Sequence, residues 1–162
     1  MNKGAGLALL AVLLAAPVGA LADSAPRCAA DRVVIETAKG PRAFRVEVAA
    51  TPATRSRGLM GRHDLDADQG MLFLYDAPQP ALFWMKDTPL ALDMIFADAT
   101  GRVSHVHPDA RPFDETPIPG GDGVLAVVEV RAGTAARLGI GPGARLAHPA
   151  LPQRGAAWPC AQ

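Results

Sequence analysis

Between residues 31 and 147, apolar and polar positions alternate in short runs, the period of strands half-buried in a sheet. DRVVIETA, residues 31–38, is rich in β-branched side chains and stops at the turn cluster Lys39-Gly40-Pro41. RAFRVEVA, residues 42–49, then sets Phe44, Val46 and Val48 on one face and Arg45 and Glu47 on the other, so the two segments predict a hairpin. The period changes at Thr51-Pro52, a cap followed by a residue suited to the first helical turn, and predicts a short helix to about Met60 that Gly58 weakens. Residues 71–75, 81–86, 93–98 and 102–107 read as short strands divided by Ala77-Pro78, Thr88-Pro89 and Ala99-Thr100-Gly101.

PDARPFDETPIPGGDG, residues 108–123, has no period and reads as a surface loop able to cover a site. GVLAVVEVR, residues 123–131, is the most strongly β segment and predicts a central strand whose Leu125 and Val127 face is interrupted by Glu129. A helical turn over residues 133–138 with Thr134 as cap, and a last strand over 144–147, complete the pattern. The fold class is mainly β (β-rich α+β): a compact barrel-like mixed sheet with two short helices. Residues 23–162 are expected to form one domain, with a core over about 32–146 and a tail over 148–162 held by Trp158 and Cys160.

The N-terminus adds a destination. Lys3, an apolar run over residues 7–16 and the small-x-small triplet Ala20-Leu21-Ala22 predict a secretory signal over residues 1–22. Pro17 and Gly19 interrupt the run before the ~20 apolar residues a membrane span needs, so no stable span is expected after cleavage. The mature chain is expected to be periplasmic or secreted, and a monomer. Cys28 and Cys160 lie at the two ends of that chain, and an oxidising compartment favours joining them as a structural staple. Formal charge is +0, the arginines are scattered and aromatic residues make up only 5% of the chain, which argues against a nucleic-acid partner.

The candidate chemistry sits in ALFWMKDTPLALDMIF, residues 81–96, an apolar stretch that carries Lys86, Asp87 and Asp93 inside it. If its halves pair as a hairpin, Lys86 and Asp93 flank the turn closely enough to interact. A buried charge must be paired, solvated or facing a cavity. One reading leaves Asp87, Thr88 and Pro89 as turn residues with Lys86 reaching water; the other gathers Arg57, Trp84, Lys86, Asp93 and Glu129 in a half-apolar pocket.

RSRGLMGR, GMLFLYD, FWMKDTPLALDMIFADATGRV and VLAVVEVRAGTAARLGIGPGARL, in that order and spacing, resemble the DUF192 family over about residues 32–146. The resemblance implies a mainly β, barrel-like fold with short helices, and supplies no activity, substrate or cofactor. It places the family's motif positions on Arg57, Gly58, Leu59, Met60, Phe83, Trp84, Met85, Lys86, Thr88, Asp93 and Glu129. Asp87 stands where the family usually has an amide, which puts a negative charge beside Lys86.

The expected function is a binding or accessory module with no catalytic residues, cofactor or metal. Its ligand site is expected from Arg57, Met60, Trp84, Met85, Lys86, Thr88, Asp93 and Glu129, and its partner is a small anionic or sugar-like ligand or an envelope protein. A hydrolase using Asp93 and Glu129 as an acid/base pair is one alternative. Copper handling by Met60, Met71, Met85 and Met94 with His105 and His107 is another.

Overall fold

The computed structural model describes Met1 and residues 25–161, so all of the predicted signal segment but Met1 lies outside the described residues. Seven strands form one curled sheet in the order β5-β4-β6-β3-β2-β1-β7. The first two, β1 (Arg32–Ile35) and β2 (Arg42–Ala49), make the expected antiparallel hairpin, with Val33 opposite Phe44. The short α1 (Pro52–Arg57) follows, and the Thr51 hydroxyl accepts from the Thr54 N–H in a capping box.

The helix carries the chain across so that β3 (Gln69–Phe83) runs parallel to β2 and antiparallel to β6 (Ile118–Arg131). Residues 71–75 and 81–86, expected as two strands, belong to one long strand through Phe83, with its register shifting between Leu74 and Leu82 where Pro78 and Pro80 sit. Proline removes a ladder donor, so the strand bends there instead of ending. The loop expected over 108–123 is shorter. β5 (Val103–Ala110) and β6 extend into it from both sides, leaving residues 111–117 between them.

β4 (Leu92–Asp98) lies between β5 and β6, whereas β3 lies on the other side of β6. The halves of the FWMK stretch are therefore not a hairpin: Phe83 pairs with Ile118, and Asp93 faces Val130. The chain closes with α2 (Thr134–Leu138) and the two-residue β7 (Leu146–Ala147) on the edge of β1.

Strand alternation sends two sets of side chains to opposite faces. One core joins Phe44, Leu72, Ile95, Val128 and Leu146 under α2; the other joins Leu59, Phe73, Met85, Met94, Phe96 and Val127 under the α1 segment. Leu125 and Val127 were expected on one face but fall in different cores, because the pairing of β6 with β3 and β4 skips Leu125. Beyond the sheet, Trp158 packs with Val34, Ala147 and Cys28, and the Cys28–Cys160 disulfide ties both ends together.

Candidate functional site

Glu129 is the strangest residue of the sheet. It stands near the end of β6, opposite Met71 of β3 on one side and Met94 of β4 on the other, and is 4% exposed. Among the described residues no hydrogen bond or ion pair reaches its carboxyl, and burial alone pushes its pKa from 4.5 to about 8. It lines a cleft of about 320 Å³ on the second face, together with Arg55, Arg57, Met60, Phe73, Tyr75, Phe83, Trp84 and Thr88 among others.

The cleft is built from three local structures. α1 and the turn after it supply the arginines and Met60. Gly58 makes that turn feasible at φ +48, where a Cβ would come within 3.2 Å of the Phe73 ring. The two ends of the bent β3 supply the aromatic wall, with Phe73 and Phe83 edge to face at 5.1 Å. Thr88 enters from the turn after the FWMK segment, its hydroxyl donating to the Lys86 carbonyl. Asp87 holds that turn at φ 51, and its carbonyl accepts from the Gly61 N–H. This left-handed conformation is one that Asn and Asp tolerate, so the acid at position 87 keeps the turn.

The cations are unequally engaged. Arg55 donates to the carbonyls of Ala50 and Leu74 at 2.6 and 2.7 Å and lies over the Tyr75 ring at 5.2 Å. Burial pushes the Tyr75 phenol up, against the pull of Arg55. Arg57 is exposed at the mouth and has no ion pair among the described residues. Beside the mouth, Leu82 at 66% and Trp84 at 48% exposure leave an apolar rim.

Of the residues expected to form a site, the structure gathers Arg57, Met60, Trp84, Thr88 and Glu129 around one cleft. Three others lie elsewhere. Met85 is 1% exposed and packs in the core beneath. Lys86 has no ion pair with Asp93; its ammonium lies over the Trp84 ring at 5.4 Å, half-buried beside the rim. Lys86→Ala should therefore change stability by less than about 1 kcal/mol in urea unfolding, since a half-buried cation–π contact at the rim is what it removes. A loss of several kcal/mol would reveal a buried ion pair instead.

Asp93 points to the opposite face from Glu129, because Asp93 faces Val130 while Glu129 faces Met94. The two carboxyls cannot act as an acid/base pair. Fully buried, Asp93 accepts the backbone N–H groups of Asp109 at 2.9 Å, Gly133 at 3.2 Å and Ala135 at 2.8 Å. It thus satisfies the start of α2, whose N-cap is Gly133 without a side-chain cap and not the expected Thr134. Asp93→Asn should cost about 2 kcal/mol, because an amide presents N–H groups to donors. An unchanged urea midpoint would show that water repairs the three bonds.

The expected copper set is also divided. Met94 is fully buried and His105 stacks on Phe96 at 5.7 Å. Met71, Glu129, Met94 and His107 do form one cross-strand row over β3, β6, β4 and β5. Among the described residues no group of three or more His, Cys, Asp or Glu side chains gathers to hold a metal ion. Sequence reasoning missed Tyr75 and Phe73, whose place in the cleft depends on the bend of β3; their alternation with Leu74 was the available signal.

Fold and cleft together define a small β-rich domain, a curled half-barrel sheet with one aromatic cleft over a buried carboxyl. Within that class the chain belongs to the DUF192 family, described as uncharacterized ACR, COG1430, whose model matches residues 33–148. A solved protein of unknown function from Novosphingobium aromaticivorans is 43% identical, with TM-score 0.69, over 71% of this chain and 82% of that one. A Sinorhizobium meliloti structure described as a "putative transcription regulator" is 40% identical, with TM-score 0.70, over 74% of this chain and 94% of that one. No curated protein matches.

Proposed function

We propose that the chain is an exported, monomeric binding module that holds a small ligand in the cleft between α1 and the bent strand β3. The observation that carries this reading is Glu129, a buried carboxyl that lines the cleft and has no partner among the described residues. Retaining such a group costs stability, and a ligand that completes its hydrogen bonds offsets that cost. The free Arg57 at the mouth and the exposed Trp84 add charge and ring surface to the same opening. The Cys28–Cys160 disulfide suits an oxidising compartment, and no described helix is long and apolar enough to cross a membrane.

Nucleic-acid regulation, by likeness to the Sinorhizobium meliloti protein, has less support. Formal charge is +0, and several arginines are engaged by nearby carboxylates, as in Arg45 with Asp66 and Asp68 and Arg62 with Glu47. The row of Met71, Glu129, Met94 and His107 favours, as a second reading, a soft metal ion in place of an organic ligand.

Native mass spectrometry of the protein purified from the bacterial envelope without chelators tests both. A retained organic mass supports the module, and a retained metal mass supports the second reading. A bare protein mass, from a sample whose denatured mass shows no signal cleavage, would overturn the exported module.

A further inference from the structure

Resting on the ligand-cleft reading above, the geometry points to the class of ligand: a small ring-bearing organic anion whose charge meets Arg57 and whose far hydroxyl meets the Glu129 carboxyl. Each part of that description follows from one part of the cleft.

The ring follows from the walls. Phe73, Tyr75, Phe83 and Trp84 all border a space of about 320 Å³, room for a ring and its substituents but little more. Phe73 and Phe83 already meet edge to face, as do Phe83 and Phe96 at 5.6 Å, so a flat ring extends an existing stack.

The charge follows from the arginines. Arg55 is held by two carbonyls and the Tyr75 ring, and Lys86 by the Trp84 ring. Arg57 keeps its guanidinium fork for an incoming carboxylate or phosphate.

The hydroxyl follows from the floor. The groups that line the cleft with Glu129 include Tyr75 from β3, Arg55 and Arg57 from α1 and Thr88 from its turn, while the uncharged Met71 and Met94 flank it across the strands, with His107 next in the row on β5. Thr88 gives its proton to the Lys86 carbonyl, so no neighbour is seen to bond the carboxyl. A hydroxyl both donates and accepts, which matches a carboxyl that still carries its proton near neutral pH. Such a carboxyl also admits an anion without repulsion, and the anion in turn disfavours losing the proton.

Calorimetric titration with benzoate, 4-hydroxybenzoate and glucuronate tests the class. The hydroxyl should tighten 4-hydroxybenzoate about tenfold over benzoate, and the relative affinity of glucuronate distinguishes a sugar ring from an aromatic one. Arg57→Gln should weaken every probe about tenfold, Glu129→Leu should bring benzoate and 4-hydroxybenzoate to equal affinity, and binding should weaken as pH rises through about 8. Equal affinities in the native chain, or a hydroxyl preference that persists in Glu129→Leu, overturn the proposal. If no probe binds while native mass spectrometry retains an organic ligand, the class is wrong and the binding module stands. If nothing is retained and nothing binds, both fall.

Discussion

Glu129→Leu is expected to remove a loss of stability that the native chain suffers between pH 4.5 and about 8. Burial raises the folded-state pKa of Glu129 across that interval, so the folded chain keeps a proton that the unfolded chain has already released. Each step up in pH within the window then favours the unfolded state, and the loss is complete once the folded carboxyl also ionises above about 8. An interval of that width corresponds to roughly 5 kcal/mol at its limit.

His148 acts in the other direction. Burial lowers its pKa from 6.5, so its contribution rises with pH as the unfolded imidazole loses its proton. Because His148 is present in both proteins, the difference between their urea-unfolding profiles isolates Glu129. Leu should match or exceed the native stability at low pH and gain steadily above pH 4.5. Parallel profiles would mean that water in the cleft solvates the carboxyl and that its burial carries no penalty.

How much of this was legible follows the range of the interactions. The hairpin of β1 and β2, the start of α1 and the strand character of β6 depend on alternation and capping within a few residues, and the sequence carries those signals directly. Arg57, Trp84 and Glu129 were expected together and do share a cleft. Asp93 was misplaced because its role depends on which strand is its neighbour. A hairpin would have brought it to Lys86, whereas the insertion of β6 between β3 and β4 turns it toward α2. Likewise, nothing local in LFLYDAPQPALF reveals that its prolines bend one strand instead of separating two, and that bend brings Tyr75 and Phe83 to the same opening. Local patterns specify elements well; sheet order, a long-range property, decides which charges meet.

Cys28→Ala with Cys160→Ala is expected to lower stability by about 5 kcal/mol, the chain-entropy value for a loop of this size. The disulfide closes a sequence separation of 132, nearly all of the described chain. What it holds is the tail. Beyond β7 the chain returns over β1 and β7 through the buried Trp158, a Cys160 N–H to Gln153 side-chain bond, and an Ala161 N–H to Pro26 carbonyl bond. Arg145 lies over the Trp158 ring at 5.3 Å while its guanidinium forks onto Glu36 at 2.7 and 2.8 Å. Without the bridge, this strap should open at lower denaturant than the sheet, and Trp158 fluorescence should shift to the red before the main transition. A double mutant that unfolds in one step at the native urea midpoint would show that the Trp158 packing and the Arg145–Glu36 fork hold the tail unaided, and that the unfolded chain already keeps its two ends close.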